Sequence, residues 1–259
     1  MLEEYYNGEI YSGRRIYEEF KNSVTKSLNF LAQSRDIKGA QLLDIGCGEG
    51  VLLEVATQMG AHATGIEPHG GEIERLKERG FTVFHGLLED FPIEEEAGQW
   101  DVITLTWVLD AMIDPVDSLK QIRRLLKPDG ILHITIASRY LLPLTQRKKG
   151  IPIIWQKPIK SMIGRKEIAD THPFYFTRKS LLKCLDTVGF KVAKITPVTD
   201  RGTSINAVLS DPKGYEEESP EHLLELKRYF RKWQQFDRFV RPWYQPLTDF
   251  LVSIKNRMT

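Results

Sequence analysis

The sequence predicts an α/β fold in which a mostly parallel β-sheet is covered by helices on both faces. Apolar runs with β-branched residues alternate with longer amphipathic segments over most of the chain, which is the pattern of repeated βαβ units. Most of the short runs are apolar throughout, as expected for strands that are buried on both faces of a parallel sheet. With 259 residues, one large domain with additions is expected rather than two equal domains.

The elements follow from these runs in chain order. Strands are predicted at residues 41–45, 62–66, 82–84, 101–105, 131–136, 190–196 and 204–210, and helices at 51–58, 72–78, 116–126 and 178–186. Residues 127–130, Lys-Pro-Asp-Gly, should end one helix and turn the chain into the next strand, because proline cannot continue a helix and glycine accepts a positive φ.

Three further segments are predicted around the repeating units. We expect an N-terminal helical segment at residues 1–36, a central domain at 37–210 that contains an insertion at 137–176, and a helical extension at 211–259. In the extension, apolar residues recur every three or four positions from Leu223 to Val240. This spacing predicts an amphipathic helix. The helix would pack either on the domain or on a second subunit, and the second arrangement would make the protein a homodimer.

Composition and charge narrow the classes of function. There are 36 basic and 35 acidic residues, so the overall charge favours neither a nucleic-acid nor a membrane partner. The two cysteines, Cys47 and Cys184, have neither disulfide nor metal-ligand spacing, so no metal site is predicted. The first residues lack the pattern of a secretory signal, and no apolar run approaches the roughly 18 residues of a membrane span. A cytoplasmic location is therefore expected.

A glycine-rich loop follows the first predicted strand. Gly46, Gly48 and Gly50 have the spacing G-x-G-x-G, whereas the dinucleotide fingerprint would require glycine at position 51, which is valine. The next strand ends in Glu67, where a carboxylate can accept hydrogen bonds from both hydroxyls of a ribose. One or two of the glycines could serve only to close a turn, but the two features together predict a cofactor that contains a nucleoside.

The order of motifs resembles that of the class I S-adenosylmethionine-dependent methyltransferases, of the type 11/12-like group. The resemblance rests on residues 44–50, Glu67 and residues 86–90, 100–105 and 126–130. It covers roughly residues 40–137 and continues more weakly to about 210. It implies a Rossmann-like, seven-stranded, mostly parallel sheet with a reversed last strand, and an N-terminal segment that folds as a lid over the cofactor.

The resemblance also implies a cofactor, S-adenosyl-L-methionine, and the residues that bind it. The glycine loop would hold its methionine end, Glu67 its ribose, residues 87–89 its adenine, and Thr106 would line the pocket of the methyl donor. Asp44 would brace the glycine loop. The implied cofactor-binding residues are Asp44, Gly46, Cys47, Gly48, Glu67, Leu87, Leu88, Glu89 and Thr106.

Methyl transfer by in-line attack depends mainly on positioning, and a general base is required mainly when the acceptor is a hydroxyl. Two residues are candidates for that base. His172 follows the insertion, where similar enzymes have a histidine that faces the substrate, although it could instead cap or pack. Asp110 follows the fourth strand, although it could instead complement a helix dipole. Many relatives have Glu-His where this chain has Asp110-Ala111, which disfavours a metal or a histidine base there.

Two observations concern the acceptor. Residues 104–107, Thr-Leu-Thr-Trp, lack the signature of methyltransferases that act on planar amino groups, which favours a small-molecule or lipid-like acceptor. Residues 139–166 carry eight basic residues and no acidic one. Such an insertion fits an amphiphilic substrate, a peripheral membrane contact or RNA, or it forms a solvated lid. Its layout loosely resembles that of the ubiquinone-biosynthesis O-methyltransferases.

The predicted function is therefore methyl transfer from S-adenosyl-L-methionine to a small-molecule or lipid-like acceptor, at oxygen. Three alternatives remain open. An RNA methyltransferase would use the basic insertion, although a nucleic-acid partner is disfavoured by the overall charge. An NAD(P)-dependent oxidoreductase would use Tyr175 and Lys179, which have the spacing of the short-chain dehydrogenases. A non-catalytic binding module would keep the fold alone, but it would not need the glycine loop and Glu67.

Overall fold

The computed structural model describes residues 14–137, 176, 178–197 and 202–213. The described helices are α1 (Arg14–Ala32), α2 (Val51–Gln58), α3 (Gly70–Glu78), α4 (Pro115–Leu125) and α5 (Arg178–Val188). The described strands are β1 (Gln41–Ile45), β2 (His62–Glu67), β3 (Thr82–His85), β4 (Trp100–Thr106), β5 (Leu126–Ala137), β6 (Phe190–Pro197) and β7 (Gly202–Leu209). A short 3-10 helix covers Leu88–Asp90.

Within the described residues, these strands form a seven-stranded sheet in the order β3-β2-β1-β4-β5-β7-β6. β1 to β5 run parallel, and β7 is antiparallel to both of its neighbours, β5 and β6. The predicted Rossmann-like sheet with a reversed last strand is confirmed. The chain moves outward from β1 to β3 and then returns to the other side of β1 with β4, so a ligand-binding crevice is expected at the carboxyl ends of β1 and β4.

Apolar side chains cover both faces of the sheet, as the continuous apolar character of the strands predicts. One cluster contains Leu119 and Leu185 from α4 and α5. The other contains Leu28 and Leu31 from α1 with Val55 from α2. The described part of the N-terminal segment is therefore part of the core. The predicted lid over the cofactor is untested and stays a prediction, and residues 1–13 lie outside the described range.

The start of β5 differs from the sequence-based expectation. We expected a turn at residues 127–130, but the strand begins at Leu126. Leu126 pairs with Trp100 and Ile131 with Val102, so the residues between them bulge from the ladder. The expected positive φ of Gly130 is wrong. Glycine fits there because an added Cβ would lie 2.9 Å from the Lys127 carbonyl oxygen and 3.1 Å from that of Trp100.

Other predicted segments lie mostly or wholly outside the described residues. These are the insertion at 137–176, of which only 137 and 176 are described, and the extension at 211–259, of which only 211–213 are described. Their predicted roles as a basic lid and as an amphipathic helix stay predictions. Among the described helices, none is long and apolar enough to cross a membrane.

Candidate functional site

The glycine loop connects the end of β1 to α2 in left-handed backbone conformations. The φ angles of Gly46, Gly48 and Gly50 are 72°, 50° and 75°. The N–H groups of Gly46 and Cys47 both donate to the carbonyl oxygen of Ile66, at 2.8 and 3.1 Å. The sharp turn predicted from the glycine spacing is confirmed, and the loop is fixed against the end of β2.

The three glycines have different surroundings. An added Cβ at Gly46 would lie 2.5 Å from Cγ2 of Val108, and one at Gly50 would lie 2.3 Å from Cδ2 of Leu76. At Gly48, by contrast, an added Cβ would have no atom within 4 Å. Two of the glycines therefore permit close internal packing, whereas Gly48 faces open space in which a ligand could lie against bare backbone.

Glu67, at the end of β2, is hydrogen-bonded to this loop. Its side chain is buried, and Oε2 accepts a hydrogen bond from the N–H of Gly48 at 2.8 Å. Oε1 accepts one from the N–H of His69 at 3.0 Å. Each carboxylate oxygen has a second lone pair, so both can still accept hydrogen bonds from ribose hydroxyls. The structure brings Glu67 beside the glycine loop, and its contact with a ribose stays a prediction.

Asp44 lies on β1 beneath the loop and is 2% exposed. Its Oδ1 accepts a hydrogen bond from Oγ1 of Thr104 on β4, at 2.6 Å. Burial raises the pKa of Asp44 to about 7, the Thr104 hydrogen bond opposes this rise, and the charge of Glu67 adds to it. Asp44 thus connects β1 to β4, and its predicted role as a brace for the glycine loop stays a prediction.

Cys47 contributes to the loop in a different way from its glycine neighbours. Its side chain is buried with Leu53 and Leu76, and its Sγ lies only 2.5 Å from where a Cβ at Gly65 would be. Burial raises the pKa of the Cys47 thiol well above its usual range, so the thiol stays protonated. The side chain of Cys47 is therefore used in packing, and contact of its main chain with a cofactor stays a prediction.

The residues predicted to bind adenine follow β3. Leu87 donates its N–H to Oδ2 of Asp90 at 3.1 Å, and the side chain of Leu88 is buried in the core. Glu89 is exposed and lines a groove of about 640 Å³ together with Ile93 and Lys120. The glycine loop and Glu67 do not line this groove. Leu87 and Glu89 remain accessible for the predicted contact, whereas Leu88 could offer only its main chain.

The end of β4 completes the site. The hydroxyl of Thr106 is buried and has no hydrogen-bond partner among the described residues. Trp107 has a φ of 63° and donates its N–H to the carbonyl oxygen of Thr135 at 2.8 Å. Because Val108 packs on Gly46, this segment contacts the glycine loop directly. A buried hydroxyl without a partner is an unusual feature of a folded protein and fits a position that faces a polar ligand.

Of the two candidate bases, the structure describes only Asp110. Asp110 is 5% exposed and precedes α4, whose N-cap is Asp114. Asp114 therefore caps the N-terminus of α4. The alternative interpretation, in which Asp110 lies in the first turn of a helix and complements its dipole, is wrong. His172 lies outside the described residues, and the position of Asp110 does not test its role as a base, so both catalytic roles stay predictions. In the described part of the chain, no group of three or more His, Cys, Asp or Glu residues could hold a metal ion.

Three residues of this site were missed by sequence reasoning. Thr104 binds Asp44, Val108 contacts Gly46, and Trp107 adopts a left-handed backbone. The first two contacts depend on the register between β1 and β4, in which Asp44 lies beside Thr104. An assumed β1–β4 pairing could have suggested them. No sequence pattern points to a positive φ at tryptophan.

Comparisons with known proteins agree with this geometry. The methyltransferase domain family matches residues 16–195. Curated relatives include the ubiquinone biosynthesis O-methyltransferases of Actinobacillus pleuropneumoniae serotype 7, with 33% identity over 124 residues, and of Pseudomonas aeruginosa strain UCBPP-PA14, with 32% over 119 residues. These alignments cover 44% and 43% of this chain and 53% and 50% of the relatives. The chain spans about half the length of the curated relatives it matches.

Solved structures share the fold at low sequence identity. Magnesium protoporphyrin IX methyltransferase from Synechocystis PCC 6803, with bound S-adenosylhomocysteine, has a TM-score of 0.58 at 16% identity and covers 81% of this chain and 98% of its own. A SAM-dependent methyltransferase from Aquifex aeolicus has a TM-score of 0.53 at 14% identity, with coverage of 76% and 98%. Since the family match spans most of the described residues, this chain belongs to the methyltransferase domain family, among the class I enzymes whose cofactor is S-adenosyl-L-methionine.

Proposed function

We propose that this protein transfers a methyl group from S-adenosyl-L-methionine to an oxygen atom of a small-molecule or lipid-like acceptor. The observation that carries the proposal is the open space over Gly48, with the carboxylate of Glu67 bonded to the N–H of the same residue. Bare backbone and a fixed carboxylate are the two features needed to hold a nucleoside at the end of a parallel strand.

The charge of the site also fits this cofactor. The donor carries positive charge on its sulfonium and its amino group, and Asp44 and Glu67 place two buried carboxyl groups beside the loop. A cation near Asp44 would favour its ionised form and offset the burial that raises its pKa. The hydroxyl of Thr106 offers a further polar group that no described side chain uses.

The bound cofactor supplies an electrophilic methyl carbon, and the residues of this chain must align the acceptor and exclude water. When the acceptor oxygen bonds to that carbon, the carbon–sulfur bond breaks and its electron pair stays on sulfur. Holding the acceptor oxygen in line with the methyl carbon can lower the barrier by up to roughly 7–11 kcal/mol. The hydroxyl proton needs a nearby base, and Asp110 and His172 are the residues we propose for that role.

The preference for oxygen is supported by the curated relatives and by the end of β4. The matched relatives are named as O-methyltransferases, and Thr104-Leu105-Thr106-Trp107 lacks the Asn/Asp-Pro-Pro motif of enzymes that methylate planar amino groups. A lipid-like acceptor is supported by the apolar and basic character of residues 139–166. Contact of that segment with the acceptor, or with a membrane surface, is part of the proposal.

Tritium-labelled donor tests this function directly. The protein would be incubated with S-adenosyl-[methyl-³H]methionine and either an organic-solvent lipid extract or total RNA, with the Gly48→Ala variant as the control. We expect label in the organic phase with the parent protein and little with the variant. Release of the label from the purified product by ether-cleaving or ester-hydrolysing reagents would identify an O-methyl group. Label only in acid-precipitated RNA would contradict the proposed acceptor class.

Calorimetric titration separates methyl transfer from a nicotinamide-dependent reaction. We expect S-adenosylhomocysteine to bind with one-to-one stoichiometry and NADPH to show no heat of binding. Tight binding of NADPH without binding of S-adenosylhomocysteine would overturn the proposed function. Binding of the cofactor with no labelled product from any extract would favour a module that keeps the site but not the reaction.

A further inference from the structure

Trp107 has an unusual backbone conformation at the edge of the site. Among the described residues it is the only non-glycine residue with a positive φ, at 63°. A left-handed conformation of this kind destabilises an ordinary L-residue, whereas glycine adopts it readily. Backbone strain of this kind occurs most often at ligand-binding and active sites.

Sheet register places Trp107 beside the glycine loop. Ile45, the last residue of β1, pairs with Leu105 of β4, and Gly46 and Thr106 are the residues that follow this pair. On the other side of Trp107, Val108 occupies the space next to Gly46. Trp107 is therefore flanked by two residues that border the loop, and consecutive Cα atoms are only about 3.8 Å apart. An indole at this position is within reach of a ligand held by the loop.

Core packing does not account for the choice of tryptophan. The side chain of Trp107 is only partly buried, and it belongs to none of the apolar clusters formed by the described residues. A residue that only turned the chain would be glycine or asparagine, which adopt this conformation at lower cost. The large aromatic ring therefore requires another explanation.

The strained conformation is held in place by the neighbouring strand. The N–H of Trp107 donates to the carbonyl oxygen of Thr135 at 2.8 Å. The hydroxyl of Thr135 is itself hydrogen-bonded to Ser27 of α1 at 2.7 Å and to Ser204 of β7 at 2.9 Å. All three of these side chains are buried. A rigid, buried anchor is what allows a strained residue to persist in the native state.

We propose that the indole of Trp107 contacts the sulfonium of the bound donor and so favours the charged donor over the neutral product. Tryptophan is the side chain whose ring face binds cations best. Loss of the methyl group removes the positive charge from sulfur, so this attraction would vanish when the reaction is complete and would assist release of S-adenosylhomocysteine. The inference rests on the proposed function, because it requires that S-adenosyl-L-methionine binds at the glycine loop.

Separate titrations of S-adenosylmethionine and S-adenosylhomocysteine test the inference, with the parent protein and the variants W107F, W107L and W107G. We expect W107L and W107G to weaken binding of the donor by about 2- to 30-fold, the range of a cation–π contact, with little change for the product. W107F keeps a ring face and should retain most of the preference. In urea, W107G should lose less stability than removal of the half-buried indole alone would cause, because glycine adopts the left-handed conformation without strain.

The outcomes separate this inference from the proposed function. An equal loss of affinity for both ligands in W107L would assign Trp107 a packing role and overturn the inference, as would an unchanged ratio of the two dissociation constants. If the parent protein bound neither ligand, the proposed function would fail and this inference with it. If the parent bound both ligands and the ratio of their dissociation constants were unchanged in W107L, the proposed function would stand and the inference about Trp107 would fail.

Discussion

Gly48 and Gly39 provide a matched pair for testing whether a cofactor fills the space over the glycine loop. Both have a positive φ, 50° and 74° respectively, and an added Cβ at either position has no atom within 4 Å. Replacement by alanine should therefore lower the free energy of unfolding by a similar amount, about 1–2 kcal/mol, because the strain of a left-handed alanine is the same in both variants. Urea denaturation of Gly48→Ala and Gly39→Ala measures this value.

The two variants should differ in cofactor binding. If the ribose or methionine end of the cofactor lies against Gly48, an extra methyl group there overpacks the site by about 1–3 kcal/mol. This penalty corresponds to a roughly 5- to 150-fold higher dissociation constant for S-adenosylhomocysteine, measured by calorimetry. Gly39→Ala should bind it like the parent. Equal affinities of the two variants would refute the reasoning, because the space over Gly48 would then have no connection with the cofactor.

Three further predictions concern the surroundings of the site. Gly46→Ala should destabilise the fold by about 2–5 kcal/mol through strain and contact with Val108, and a Gly46→Ala/Val108→Ala double variant should regain about 1–3 kcal/mol of this in urea denaturation; strict additivity would contradict the predicted contact. The pKa of Asp44 is raised to about 7 in the folded protein. The free energy of unfolding should therefore be highest below about pH 4, where this carboxyl is protonated in both states, and should fall as the pH rises to 7, because only the unfolded state has lost the proton there. Asp44→Asn should remove a fall in unfolding free energy of up to about 4 kcal/mol over that range, and identical pH profiles of the two proteins would oppose this assignment. Ser27→Ala should destabilise the protein by about 1–3 kcal/mol in thermal or urea unfolding, because it leaves Nε2 of buried His133 without its partner; an unchanged midpoint would show that this hydrogen bond contributes nothing.

The regular elements of the fold were predictable because each leaves a local trace in the sequence. The helix α2 was predicted with the bounds that the structure shows, since Gly50 marks its start and an apolar pattern continues to Gln58. The reversal of the last strand, β7, came from the resemblance to a known family, and the order of the strands was not predicted. Neither could come from periodicity, because a strand's sequence does not specify its neighbours or its direction.

The site was predictable in its residue types and less so in its contacts. The glycine spacing and Glu67 predicted a loop and an acid at adjacent strand ends, and the structure joins them through one hydrogen bond. The sequence did not identify Gly65 as the packing partner of the Cys47 side chain, since the direction of a side chain in a turn depends on the φ of each neighbouring glycine. The start of β5 was misplaced for a related reason, because a bulge follows the partner strand rather than the local sequence.

The central claim is that the carboxylate of Glu67 and the bare loop at Gly48 bind S-adenosyl-L-methionine together. Calorimetric titration of S-adenosylhomocysteine into Glu67→Gln tests it most directly, with Glu78→Gln, on the exposed end of α3, as the control. The loss of even one hydrogen bond to a charged group, about 1.5–3 kcal/mol, predicts a dissociation constant roughly 10- to 150-fold higher for Glu67→Gln and unchanged for Glu78→Gln. Parent-like affinity in a folded Glu67→Gln variant would contradict the claim.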